Sequence, residues 1–161
     1  MSTNVIDRLR FKDSRLGYVK VNDGSIIILR VAIVDVRVRE EASPFGVEFD
    51  VNATGGVSVY PSEDALKEVK DKSAIEPSKT VKEGWIQVDI VEKTSAYEEA
   101  VYYKESKDKY LIRVEIEPIM VSKNTLYKTL QGAPLYVVRW VPKITWSKIE
   151  DESTHGSGQG G

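Results

Sequence analysis

Two pairs of carboxylates stand two positions apart in alternating stretches: Glu48 and Asp50 in VEFDV, and Glu115 and Glu117 beside Arg113 in RVEIE. On an extended strand such a pair shares one face, with about 7 Å between its members. That spacing suits acid–base work on a small substrate, or a hard cation held between oxygens. The same alternation turns Val47, Phe49 and Val51 the other way. The simpler reading is therefore the wet face of a half-buried sheet, and no catalytic residue is assigned. Glu40-Glu41 and Glu98-Glu99 read as solvated loop charges.

Other routes to chemistry are narrow. The single histidine, His155, sits in a Gly/Ser tail, and there is no cysteine. Histidine-assisted nucleophilic catalysis and zinc sites of the usual His or Cys kind have no residues to build them. The GG pair in NATGGVSVY lacks the lysine and the strand-to-helix setting of a phosphate loop. No metal and no cofactor is expected.

Aromatic and basic residues mix at three places. The N-terminal RLRFKDSR sets Arg8, Arg10, Lys12 and Arg15 around Phe11. Tyr102, Tyr103, Lys104, Lys107 and Lys109 cluster around the hairpin expected at ESKDK, and Lys143, Trp146 and Lys148 follow Pro142. Single-stranded nucleic acid is held by rings that stack on bases beside cations that track phosphates. Arg8, Arg10, Lys12, Arg15, Tyr103, Lys104, Lys143, Trp146 and Lys148 are the candidate residues for such a surface. In PLYVVRWV, however, a strand sends Tyr136, Val138 and Trp140 one way and Leu135, Val137, Arg139 and Val141 the other. Rings and arginine part company there, as in a core strand. No diagnostic nucleic-acid motif accompanies the three clusters.

The elements that position these residues are mostly strands. Period-2 patterning runs through LGYVKV, SIIILRVAIVDVRVRE, VEFDV, GWIQVDIVEK, YLIRVEIEPIMV and PLYVVRWV. Turn chemistry punctuates it at NDG (22–24), NATGG (52–56) and ESKDK (105–109). PSEDALKEVKDK reads as a helix of about three turns, with Ser62 as N-cap and Ala65, Leu66 and Val69 on one face. NTLYKTLQG reads as a second short helix, from Asn124 to Gly132. The expected fold is mainly β, with α as the minor part: an antiparallel barrel-like or sandwich domain of about eight strands with two short helices. Residues 1–149 form it, with a subdomain junction near 74–84, and 150–161 form a disordered tail. A faint echo of LRVAIV in IRVEIE raises a duplicated hairpin unit.

The chain has 161 residues, 41% hydrophobic and 30% charged, which suits a soluble globular domain. No apolar run reaches the length needed to cross a bilayer, and the start lacks a secretory h-region. The expected location is the cytoplasm, with no membrane partner. Abundant Val, Ile, Lys and Glu with scarce thermolabile residues fit a heat-adapted protein. The net charge of −2 averages a basic–acidic–basic order: eight Lys/Arg against four Asp/Glu in 1–39, six against fourteen in 40–100, and nine against four in 101–149. Such a molecule is dipolar if the segments stay apart. The expected function is a non-catalytic binding or assembly module, with a protein partner or self-association as its task. Nucleic-acid binding through the basic, aromatic terminal segments is one alternative. A carboxylate-based enzyme or small-ligand barrel is another.

Overall fold

Alternating apolar residues need a partner layer to cover one face, and two antiparallel sheets provide it for each other. The computed structural model describes residues 5–39 and 43–150. Its strands are β1 (Leu9–Arg15), β2 (Gly17–Val21), β3 (Ile26–Arg39), β4 (Glu48–Tyr60), β5 (Ser73–Ala74), β6 (Trp85–Val88), β7 (Ile90–Thr94), β8 (Ala96–Tyr103), β9 (Lys109–Lys128) and β10 (Pro134–Ile149). One helix, α1 (Glu63–Glu68), follows β4. The first sheet runs β1-β8-β9-β10, with β5 and β6 also on β9, and the second runs β4-β3-β2-β7. Every pairing is antiparallel except the short one between β5 and β9. The result is a sandwich and not a closed barrel.

The two sheets share a corner. β1 leaves the first sheet at Leu16 and continues as β2 in the second, while β7 leaves the second at Ser95 and continues as β8 in the first. The crossings lie side by side, since Arg15 pairs with Tyr97 and Tyr18 with Thr94. Gly17 makes this possible: a Cβ there would fall 2.5 Å from both the Ala96 nitrogen and the Thr94 carbonyl oxygen. Read outward from the corner, the sheets follow one plan. β2, β3 and β4 extend from β7 as β8, β9 and β10 extend from β1. Each half lends its first strand to the other's sheet, and the echo between LRVAIV and IRVEIE falls on the equivalent strands β3 and β9.

Between the layers lie Val19, Val21, Ile27, Leu29 and Val31 from one sheet and Ala100, Ile112, Val114 and Ile116 from the other. Phe49 anchors the open side, with the rings of Tyr102, Tyr110 and Trp146 edge-on at 5.3, 5.1 and 5.5 Å. Each such side chain contributes roughly 1.5–3 kcal/mol by leaving water.

Several expected elements differ. Among the described residues there are ten strands, not about eight: GWIQVDIVEK is cut at Asp89 between the sheets and the segments Leu9–Arg15 and Ser73–Ala74 add β1 and β5, while VEFDV and VSVY join into the single strand β4. The second helix is absent: NTLYKTLQG is the end of β9 and its hairpin turn into β10. Asn124 does accept from the Leu126 and Tyr127 amides, at 2.8 and 3.0 Å, as a capping residue would. Yet β6 pairs with this segment at Asn124, β5 at Tyr127 and Lys128, and β10 at Lys128, and that pairing overrides the local preference. NATGG is no turn, since β4 runs straight through it. The indole of Trp140 would lie 2.7 Å from a Cβ on Gly55, so this glycine makes room for a ring. Ser62 caps α1 as expected, accepting from the Ala65 amide at 3.1 Å, but the helix has only six residues.

The corner yields a direct test. Gly17→Ala drives a methyl group into backbone that cannot step aside, and should cost about 3 kcal/mol. Gly56→Ala, with nothing within 4 Å of the added atom, should shift stability by less than about 0.5 kcal/mol. Urea denaturation of the two variants checks both.

Candidate functional site

The candidate nucleic-acid residues fall on several surfaces. On the outer face of the first sheet, the Arg10 guanidinium lies 5.2 Å from the centre of the Tyr103 ring. Arg15 and Arg113 both stack on Tyr97, at 5.0 and 4.0 Å. Tyr97 donates its hydroxyl to Asp13 at 2.8 Å, and Arg113 reaches Glu99 and Glu115 at 3.0 and 3.1 Å. Lys143 joins the same face in an ion pair with Glu117 at 2.9 Å, which holds the Glu117 carboxyl below its ordinary range. Lys12 is exposed beside a bulge in β1.

The remaining candidates lie elsewhere. Arg8 donates to Asp35 of β3 at 2.7 Å and so ties the two sheets together; that bond is the main reason the Asp35 carboxyl sits below its usual value. Lys104 is half-buried at the β8–β9 turn, where its amide donates to the Asp108 carbonyl at 2.9 Å. Lys148 faces the Asp108 carboxylate at 3.6 Å. Trp146 packs on the core against Phe49, so its ring serves the interior and offers no stacking platform. Arg10, Arg15, Tyr103 and Lys143 therefore share a face, whereas Arg8, Lys104, Lys148 and Trp146 are used in packing, a turn and a peripheral ion pair.

The carboxylate pairs do not converge. Glu48 and Asp50 lie on the second sheet, where Glu48 accepts from Ser43 at 2.7 Å and Asp50 meets Arg39 at 3.4 Å. Glu115 and Glu117 lie on the first sheet in the network described above. A cleft of about 270 Å³ is lined by Ile75, Thr80, Val81, Lys82, Glu83 and Tyr127, away from both pairs. Among the described residues, no group of three or more His, Asp or Glu side chains is placed to hold a metal. His155 and Glu40-Glu41 lie outside the described residues.

Sequence reasoning missed two buried polar clusters. Glu98, expected in a solvated loop, is 6% exposed within β8. Its carboxylate accepts from the Ile33 amide at 2.7 Å and from Arg30 at 2.8 Å, capping the edge of β3 where β2 no longer pairs with it. The second cluster centres on Asp23, in the turn between β2 and β3. Asp23 accepts from the Ser25 amide at 2.8 Å, from Lys123 of β9 at 3.1 Å and from the Tyr136 hydroxyl of β10. Lys123 also reaches Glu68 of α1 at 2.8 Å, and Ser62 donates to the Asp23 carbonyl at 2.6 Å. One turn thereby fastens a helix and both sheets. The signal for Lys123 was its parity: it follows Val121 by two positions, on the buried side. Reading 124–132 as a helix hid that.

The Asp23 cluster sets a pH dependence. Burial opposes ionisation, but the hydrogen bonds from Tyr136, Ser25 and Lys123 outweigh it and hold the carboxyl below its ordinary 3.8. Burial and the Asp23 carboxylate push the Tyr136 phenol up. A depressed carboxyl stabilises the fold above its unfolded-state value, and that contribution fades as pH falls towards the folded one. Asp23→Asn should therefore cost about 2 kcal/mol near neutrality. The gap to the parent should narrow as pH drops through 3.8. Urea midpoints at neutral and acid pH check this.

No family model, curated protein or solved structure matches this chain.

Proposed function

We propose that this chain is a non-catalytic binding or assembly module of the cytoplasm, working through the open edges of its sheets on a protein segment or a second copy. One observation carries the reading. β4, of 13 residues, and β10, of 16, each pair with a single neighbour among the described residues. They also stand beside one another on the side of the sandwich opposite the corner, where Trp140 meets Gly55 and Trp146 meets Phe49. Unpaired strand edges present rows of backbone donors and acceptors that another chain can complete. Val57, Val137, Val141 and Ile144 remain between 40% and 52% exposed along these strands, giving an added strand apolar side chains to cover.

Amide hydrogen exchange of the dilute and the concentrated protein tests the self-association branch. Protection that rises with concentration at β4 or β10 is the expected result. Unchanged exchange along both strands excludes self-pairing through them.

A nucleic-acid role ranks second. Arg10 and Arg15 do share an outer face with Tyr103 and Tyr97, but each ring already carries an arginine, and Arg113 and Lys143 are matched by carboxylates. Anisotropy of labelled single-stranded RNA should show no binding that weakens steeply with salt. A steep slope, lost when Arg10 and Arg15 are neutralised together, would reverse this order.

A further inference from the structure

The two open edges occupy equivalent places in the two halves of the fold, so each is a control for the other. β10 carries the devices that discourage strand addition. Pro142 stands opposite Ile116 near its middle, and a proline in an edge strand turns its missing donor to the open side. Arg139, Lys143 and Lys148 add charge along it. β4 has no proline, lysine or arginine from Glu48 to Tyr60. Its only charges are Glu48 and Asp50, both at one end.

The β4 sequence is also complementary to itself. When two copies run antiparallel with Thr54 on the two-fold axis, all 13 residues find a partner. On the core side Phe49 faces Val59, Val51 faces Val57 and Ala53 faces Gly55. On the outer side Glu48 faces Tyr60, Asp50 faces Ser58 and Asn52 faces Gly56. Apolar residues meet apolar or glycine, and no carboxylate meets another. The register also gives Val57 a cover. It lies on the core-facing side of β4 yet is 46% exposed, because β4 is the last strand of its sheet.

We propose that β4 is the edge through which two copies of this chain pair, forming an isologous dimer in which two four-stranded sheets become one of eight strands. This rests on the assembly reading above and names its partner and surface. A two-fold interface needs a self-complementary patch, and β4 supplies one whereas β10, with Pro142 at its middle, does not.

The chain has no cysteine, so a single introduced thiol reports position without ambiguity. Thr54→Cys should form a disulfide-linked dimer under mild oxidation, because two-fold-related Cα atoms in an antiparallel pair lie within disulfide range. Ser58→Cys alone should not, since its copy would be roughly 26 Å away along the strand. Asp50→Cys combined with Ser58→Cys should cross-link again. In sedimentation, the parent should run at twice the 18.1 kDa chain mass. Thr54→Lys and Thr54→Asp should each weaken association at least tenfold, and a mixture of the two should restore it as a heterodimer. A parent that dimerises while Thr54→Cys fails to cross-link, or cross-links no better than Ser58→Cys, overturns the β4 interface but leaves self-assembly standing. A parent that stays monomeric at all concentrations overturns the dimer, and leaves a different protein as the only occupant for the open edges.

Discussion

The whole architecture depends on how closely two backbones approach at the Gly17 crossing. Strands β1–β2 and β7–β8 pass there from one sheet to the other with no room for a side chain between them. One side of the sandwich is thereby sealed by continuous main chain, and the hydrogen-bonded pairing simply changes sheet. The opposite side has no such continuity. It is filled instead by the rings of Phe49, Trp140 and Trp146, which close the core to water but leave the strand edges open.

A second constraint follows from the first. Where a strand turns away at the corner, its former neighbour is left with unmatched backbone groups, and each buried one costs about 1–3 kcal/mol. Glu98 meets that demand on β3 by accepting from Ile33 while Arg30 balances its charge. Asp23 does the same in its turn and recruits Lys123 and Tyr136. The buried carboxylates are thus substitutes for strand pairing. Their partners are amides and the cations that neutralise them, and neither cluster borders the cleft beside Tyr127.

Alternation in the sequence was enough to place most strands and to orient β10 correctly, with Tyr136, Val138 and Trp140 on the core. It also located the hairpins at NDG and ESKDK, where Gly24 and Lys107 take positive φ. The errors share one cause. Glycine in NATGG looked like a turn but serves close ring packing, and Asn124 looked like a helix cap but serves a strand held on both edges. Local signals are the same in either case, and only distant pairing decides. The corner was invisible for the same reason: Leu16 reads as the start of LGYVKV and Ser95 as a gap after GWIQVDIVEK, and neither shows that the chain changes sheet there. Of the candidate site, the cations and rings were legible as types. Which carboxylate neutralises each one was not, since Arg8 with Asp35 and Lys123 with Asp23 are separated by 27 and 100 positions.

The exchange of first strands has a consequence for how the chain is made. Arg15 reaches the Ser95 carbonyl across 80 positions, so β1 has no sheet to join until β8 exists, and β2 lacks its outer neighbour until β7 does. A polypeptide leaving the ribosome carries β2, β3 and β4 as an incomplete layer, its apolar face uncovered, through the synthesis of α1, β5 and β6. Such long-range closure makes folding slow relative to helical proteins of the same size. It also lengthens the time during which an apolar strand can meet the wrong partner.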